Sequence, residues 1–500
     1  MKIWIVLKVL SLITGVITVF MLFPLVLAFY DKGSDINAFL LSVLCSAAIG
    51  LILWFIGRTS SVKGRRDYKT IGIREGVGVV VFSWIIASGV GALPYYFSGV
   101  TSLYTDAFFE TMSGFTTTGA TILTDIEAAP RGILLWRALT HLMGGMGIIV
   151  FSLAVMPFLG IGGMELFKAE VPGVTAEKLT PRLHDTAAVL WKIYFMLVFS
   201  ETLFLIFGGM NLFDAFTHSC STIATGGFST KNNSIASFNS AYIEWVITLF
   251  MFAAGINFSL YFLLIAGGRR STLKIKLKNF LADEELRWYF KIVLFASLAI
   301  TLALILTGKF TGFLDTFRHA AFHVVSIITT TGFITHDYNL WPQLARFIFI
   351  ILMLCGACGG STGGGCKVAR VLLLVRQVRT EAMRMIHPRA ALNTQFNKRP
   401  VARPIIDSAN SFLMLYFMLL VICTLLVTAF NHPQLDVLTS LTGVMTCLSN
   451  VGPGLNYLGP VENFAWLPSG VKWIFALCML AGRLELFAVL LLFLKSTWRR

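Results

Sequence analysis

The sequence predicts an all-α polytopic membrane protein, built as four helix–pore half-helix–helix repeats around a central pore with two extra N-terminal transmembrane helices. Three observations predict it: an apolar composition, a series of apolar runs long enough to cross a bilayer, and an internal repeat of Thr/Gly stretches. Of 500 residues, 56% are hydrophobic and 13% charged, against about 25% charged in a soluble domain. The mean hydropathy is +0.78, so most of the surface must face lipid. The net charge of +15 would suit nucleic acid. However, the lysines and arginines gather in short loops on one side of the apolar runs, as the positive-inside rule requires. No nucleic-acid recognition module accompanies them.

The two N-terminal helices occupy 3–30 and 36–57. The first run is long for a signal peptide, and no clear small-x-small cleavage site follows it. Arg58, Lys63, Arg65, Arg66 and Lys69 then place the 58–75 loop in the cytoplasm, and two crossings before it put the N-terminus inside as well. Residues 1–75 form this unit. Four repeats follow, over 76–185, 186–288, 289–403 and 404–500.

The repeat is read from four stretches, Thr116-Thr117-Thr118-Gly119, Ala224-Thr225-Gly226-Gly227, Thr329-Thr330-Thr331-Gly332 and Ser449-Asn450-Val451-Gly452. Nine residues before each final glycine stand Glu110, His218, His323 and Gly443. Six before stand Ser113, Ser221, Ser326 and Thr446. Four matches in register across most of the chain make an internal repeat. An apolar helix precedes each stretch (77–98, 187–208, 290–307, 408–430) and another follows it (133–159, 241–267, 343–375, 471–495). Each is near or above the roughly 20 residues a spanning helix needs.

The segments leading into the stretches (104–118, 213–225, 315–331, 436–450) are too short to cross and too apolar for exposed loops. Each reads as a half-helix that enters the membrane and stops, its negative dipole end facing a permeating cation. Basic loops between units alternate with basic-poor loops carrying Asp106, Asp125, Glu127, Asp214, Asp315, Asp337, Asp436 and Glu462, so the stretches all open outward. Irregular backbone at membrane depth is tolerated where it is buried in protein or lines a wet cavity. Four equivalent stretches around one axis meet that condition, and their carbonyl oxygens can replace the hydration shell of a cation. Acidic residues at the mouth would concentrate cations.

This plan resembles the Trk/Ktr/HKT superfamily of potassium transporters. The extra N-terminal pair, the Gly359–Lys367 stretch and Arg483 are similar to its TrkH/TrkG branch. The resemblance implies a single-chain, K+-selective pore in the bacterial cytoplasmic membrane, commonly assembled as a homodimer and regulated by a cytosolic TrkA-like nucleotide-binding ring. K+ is then the transported ion, and no cofactor is implied. The ion site implied by motif comprises Thr117, Thr118, Gly119, Thr225, Gly226, Gly227, Thr330, Thr331 and Gly332. Asn450, Val451 and Gly452 complete it, the fourth unit departing most from the others.

Two features lie below these stretches. The run Gly356–Lys367 contains Gly359, Gly360, Ser361, Thr362, Gly363, Gly364 and Gly365. Glycine costs about 1 kcal/mol per helical position relative to alanine, so the helix should break here. The Gly-Lys-Ser/Thr ending of a phosphate loop is missing, which excludes nucleotide binding. The loop reads either as a gate, with Lys367 tethering it to a carbonyl or an acidic partner, or as a packing seam. Arg483, central in the last helix, either faces the ion path or forms a buried ion pair, with Glu201 as the partner to test. Glu485 points to another face.

Most of the eight cysteines sit in apolar runs and read as small core residues. Cys355-x-x-Cys358 has redox spacing but no βαβ context. An enzyme would need converging acid, base or nucleophile groups, which the eight histidines do not supply. The main rival is a proton- or Na+-coupled secondary cation transporter, which also uses broken helices. The units here repeat in one orientation and are not inverted.

Overall fold

The computed structural model describes residues 3–62, 73–147, 183–266, 273–310, 312–390 and 392–498. Lys63, Arg65, Arg66, Lys69, Lys168, Lys178, Arg182, Arg269 and Arg270, and the 148–159 part of the first unit's second helix, lie outside the described residues. In chain order the helices are α1 (Ile3–Asp31), α2 (Ile36–Val62), α3 (Ile73–Gly91), α4 (Leu93–Phe97), α5 (Tyr104–Phe115) and α6 (Arg131–Gly145). Then come α7 (Leu183–Phe207), α8 (Leu212–Ile223), α9 (Ala241–Ala254), α10 (Phe258–Ala266) and α11 (Leu273–Ala282). The third unit holds α12 (Glu284–Leu306), α13 (Phe313–Ile328), α14 (Gln343–Cys355) and α15 (Val368–Ile386). A small hairpin, β1 (Gln395–Phe396) with β2 (Arg399–Pro400), leads to α16 (Arg403–Thr428) and α17 (Val437–Ser449). The chain closes with α18 (Ser469–Arg483), α19 (Phe487–Phe493) and α20 (Lys495–Trp498).

Among the described residues, six helices are long and apolar enough to cross a membrane, or eight if each sharply bent pair counts as one. The protein is a multi-pass membrane protein. The helices α1, α2, α7, α12 and α16, with α3 and α4 as one span, carry this character. Their outward side chains (Val26, Phe55, Phe199, Phe295 and Leu425, for instance) are exposed and apolar, as lipid-facing positions must be.

The short helices α5, α8, α13 and α17 fall on the segments read as half-helices. They are buried along most of their length, in contrast to the spans. Asn211 caps α8 by accepting from Asp214 N at 2.8 Å, and Asp436 caps α17 by accepting from Thr439 N at 2.8 Å, satisfying donors that the helix itself leaves free.

The second helices differ from the expectation. The sequence reading placed continuous spans at 133–159, 241–267 and 471–495 and a break in the third unit alone. In the structure all four stop early: α6 at Gly145, α9 at Ala254, α14 at Cys355 and α18 at Arg483. The chain turns by 91° between α9 and α10 and by 117° between α18 and α19. The physical reason is close approach. A Cβ on Gly144 would strike the Phe115 carbonyl, one on Gly145 the Ala224 backbone, one on Gly255 the Thr329 side chain, and one on Gly482 the Leu448 carbonyl. Three of the four second helices, α6, α9 and α18, therefore end where they meet the C-terminal end of a short helix, with a glycine making room. In contrast, α14 ends just before Gly356, which packs against Gly364 of its own loop.

Candidate ion site and the barrier beneath it

The four Thr/Gly stretches share one backbone conformation. After each short helix the amides of Thr118, Gly226, Thr331 and Val451 donate to the carbonyls of Ser113, Ser221, Ser326 and Thr446, over 2.8, 2.8, 2.8 and 2.9 Å. These backbone bonds close the turn, while the hydroxyls at this position bond separately. Ser326 Oγ donates to Phe333 O at 2.7 Å and Thr446 Oγ1 to Pro453 O at 3.1 Å, and Ser221 Oγ lies 3.1 Å from His141 Nδ1. Two residues before each glycine the backbone is left-handed, with φ of 52° at Thr117, 56° at Thr225, 60° at Thr330 and 56° at Asn450. The glycines follow at 79°, 80°, 82° and 100°. Glycine adopts this region freely; threonine does so at a cost, so four non-glycine residues there mark an imposed geometry.

The stretches close into a ring. A Cβ on Gly119 would strike the carbonyl oxygen of Gly226. One on Gly227 would strike that of Thr331, one on Gly332 that of Val451, and one on Gly452 that of Thr118. Unit one thus touches two, two touches three, three touches four, and four returns to one. All four glycines also line one polar cavity, together with Lys231, Asn232 and Asn463. Contacts between units run through Thr118, Gly119, Gly226, Gly227, Thr331, Gly332, Val451, Gly452 and Asn450, while Thr117, Thr225 and Thr330 stand at the left-handed turns just before them. Two of the threonine runs brace themselves from behind: Thr116 Oγ1 donates to Met112 O at 2.7 Å and lies 2.8 Å from Thr118 Oγ1. Thr329 Oγ1 repeats this with Val325 O at 2.7 Å and Thr331 Oγ1 at 2.9 Å.

The position nine residues before each glycine buttresses the outgoing chain. Glu110, fully buried, accepts from Ile122 N at 2.8 Å, Thr121 Oγ1 at 3.0 Å and Arg137 Nε at 2.9 Å. His218 Nε2 lies 2.8 Å from Ser229 Oγ, and His323 Nε2 lies 3.0 Å from His336 O. In the fourth unit Gly443 leaves the place to Leu458 and Phe475. Glu110→Ala should strand the buried Arg137 charge and destabilise the protein by about 3–5 kcal/mol, read as a lower thermal unfolding midpoint of the purified protein.

The acidic residues read as a cation-concentrating mouth are mostly committed. Asp106 pairs with Lys472 at 2.6 Å, Asp315 with Arg318 at 2.8 Å, and Asp214 accepts from Thr230 Oγ1 at 2.6 Å. Asn232 donates to Asp125 Oδ1 over 2.9 Å and holds that carboxyl below the usual carboxylate range. These groups fold the loops around the ring, and their field is partly cancelled by neighbouring cations.

Beneath the ring, residues 356–367 form an irregular loop between α14 and α15, as the glycine run predicted. It touches the underside of three stretches. Gly364 N donates to Thr330 Oγ1 at 2.7 Å, Thr362 Oγ1 donates to Ile223 O at 3.0 Å, and a Cβ on Gly364 would strike Ser449 O. Lys367 Nζ donates to Gly363 O within the loop, the carbonyl tether expected of it. Arg483 Nη1 donates to Thr362 O at 2.8 Å, and its Nη2 donates to the carbonyls of Gly144 and Gly145. Arg483 thereby ties the loop to the end of α6. Gly360, Gly365, Lys367 and Arg483 line a cavity of about 110 Å³.

The proposed Arg483–Glu201 pair is not formed: both Glu201 carboxyl oxygens are buried without a hydrogen-bond partner. Arg483 spends its donors on carbonyls because α18 ends at that residue and aims it at the loop. Glu485 pairs instead with Arg370 at 2.6 Å. Cys355 and Cys358 are free thiols, as are the other six cysteines.

Sequence reasoning missed Glu285. Its Oε1 accepts from Gly359 N at 2.7 Å and Ala369 N at 3.1 Å, clamping both ends of the loop. Glu285 sits in the first turn of α12 beside Glu284 and the N-cap Asp283, where an acidic residue reads as ordinary helix-start chemistry, so no signal set it apart. Cys358 N also donates to Gly255 O at 3.1 Å, and Phe258 N to Gly360 O at 3.0 Å, so the loop docks on the bend between α9 and α10.

A family model described as TrkH, cation transport protein, matches residues 45–499. The Trk system potassium uptake protein TrkH of Salmonella typhimurium is 39% identical over 477 residues, 95% of each chain. Trk system potassium uptake protein TrkG of Escherichia coli K12 is 34% identical over 488 residues, 96% of this chain and 95% of that one. The crystal structure of the potassium transporter TrkH from Vibrio parahaemolyticus superposes with a TM-score of 0.87 at 33% identity, covering 100% of both chains. With nearly its whole length matched, the chain belongs to the TrkH family of cation transport proteins.

Proposed function

We propose that the protein takes up K+ across the bacterial cytoplasmic membrane through a gated, K+-selective pore. The observation that carries this reading is the cyclic order of the ring, in which each stretch's glycine abuts the next unit's carbonyl. Carbonyl oxygens held at fixed spacing around an axis can replace the hydration shell of a cation. The filter comprises Thr117, Thr118 and Gly119, Thr225, Gly226 and Gly227, Thr330, Thr331 and Gly332, and Asn450, Val451 and Gly452. The gate is the loop from Gly359 to Gly365, with Ser361 and Thr362 in it, held by Lys367 and Arg483. The relatives' description as potassium uptake proteins supports K+ as the ion. Flux of K+ and Na+ through the purified protein in liposomes tests the reading. Faster K+ flux is expected, and equal fluxes would overturn it.

In this reading the N-terminus is cytoplasmic, the protein works as a homodimer, and a cytosolic nucleotide-binding subunit regulates it. That partner would dock on the basic surface of 376–403 and on Lys274, Lys276 and Lys278. Arg376 already bonds Glu284 and the Gln395 carbonyl, so it holds the hairpin as well. Arg379, exposed on α15, is the cleaner probe. Arg379→Glu should weaken assembly and flatten its salt dependence, because a screened attraction is replaced by a repulsion that salt relieves, measured by co-purification; unchanged co-purification at all salt concentrations would count against docking there. A proton- or Na+-coupled secondary transporter is the alternative, with no inverted repeat to support it.

A further inference from the structure

The fourth unit breaks the Thr pattern at Asn450, and that side chain does something no threonine at this position does. Its Nδ2 donates to Thr118 Oγ1 at 3.0 Å, in the neighbouring unit's stretch. It also donates to the Met479 carbonyl at 3.0 Å, in the last turn of α18, the turn that ends at Arg483. Gly482, next to Arg483, packs against the same side chain, for a Cβ there would meet Asn450 Oδ1 at 2.9 Å. Asn450 is fully buried, and its Oδ1 has no hydrogen-bond partner among the described residues. Nothing else holds that oxygen in place, so the side chain's position is set by the two bonds from Nδ2 and by contact with Gly482.

The equivalent threonines are tied differently. Thr225 Oγ1 donates to its own neighbour, Ala224 O, at 2.6 Å, and Thr330 Oγ1 accepts from Gly364 N of the loop at 2.7 Å. Asn450 alone reaches both another unit's stretch and the helix end bearing Arg483.

We propose that Asn450 is a positioning residue that couples the lower barrier to the ring, holding the end of α18, and with it Arg483, in register with the unit-four and unit-one stretches. This rests on the filter-and-gate reading above. When Arg483 holds the Thr362 and Gly144 carbonyls, the Met479 bond fixes the turn from which it reaches. Losing that bond frees the turn and loosens the barrier. Losing the Thr118 bond relaxes the ring at the junction of units four and one.

The test uses the full-length protein in liposomes, with K+ flux and the K+/Na+ ratio read together. Asn450→Thr is chosen because threonine already occupies this left-handed position in the other three units, at φ of 52°, 56° and 60°. It cannot span both partners. Asn450→Ser serves if the threonine variant does not purify as a single species. Either variant is expected to raise K+ flux about fivefold, the order set by one lost hydrogen bond, and to lower the K+/Na+ ratio. In an Arg483→Ala background, where the barrier is already loosened, the same change should add no further flux yet still lower the ratio. An equal rise in flux in both backgrounds, or a lowered ratio with no change in flux, would overturn the coupling. If Arg483→Ala and Gly332→Ser alone left flux and ratio unchanged, the underlying reading would fail, and the two failures are thereby distinguished.

Discussion

Gly332→Ser should abolish or strongly relax the preference for K+ over Na+. Gly332 has φ of 82°, and a Cβ there would strike the Val451 carbonyl and the Pro453 ring. A side chain must push the unit-four carbonyl away from its place or force the stretch out of its left-handed path, and either changes the ring's spacing. Selection between two ions of one charge depends on the number and field of the coordinating carbonyls, so a displaced quarter should cost most of the discrimination. The K+/Na+ flux ratio checks this in protein that purifies as a single folded species. An unchanged ratio would remove Gly332 from the filter.

The second large effect concerns the barrier. Deleting 359–365 should raise K+ flux, because the loop lies against the underside of three stretches. Arg483→Ala should raise it too, by removing a positive charge from a cation path and releasing Thr362 and Gly144. Two unit charges 4 Å apart repel by about 4 kcal/mol at an effective dielectric of 20. A quarter of that changes passage about fivefold. Arg483→Ala removes no bond to the twelve filter residues, so its K+/Na+ ratio should stay close to that of the intact protein. The deletion also removes the Gly364 amide that holds Thr330 Oγ1 and should lower the ratio. Reduced flux in both variants, in folded protein, would mean that the loop and Arg483 support the path and do not block it.

Much of this architecture was legible in the sequence because each element had a local cause. The apolar runs gave α1, α2, α7, α12 and α16 within a few residues, since a bilayer fixes their length. The Thr/Gly stretches were legible through recurrence, and in units three and four the hydroxyl at minus six has its reason in the carbonyl just past the glycine, Phe333 O or Pro453 O, to which it donates. The second helices were misjudged because hydropathy continues straight through their breaks: α9 and α10 are both strongly apolar, yet the chain bends by 91° between them. Only tertiary contact stops these helices, Gly255 against Thr329 of the next unit and Gly482 against Leu448 of its own, and no single apolar window records it.

Two signals were present and unused. Pro130, Pro342 and Pro468 each stand at the N-cap of a second helix, a start signal that recurs in three of the four units. Gly145, Gly255 and Gly482 stand at or within a residue or two of the breaks that were not foreseen. The partner of Arg483 was illegible for another reason. Its acceptors are backbone carbonyls, and no side-chain pattern in a sequence announces them. Glu201 looked suitable by type alone, but it lies on α7, and Arg483 does not reach it, spending its donors on the Thr362, Gly144 and Gly145 carbonyls.

The ring as a passive, K+-selecting passage is tested most directly by flux through the purified chain in liposomes with a K+ gradient as the sole driving force. K+ should move down its own gradient faster than Na+, with no imposed proton or Na+ gradient, and Gly332→Ser should erase the difference. K+ movement that occurs only when a proton or Na+ gradient is supplied would contradict it.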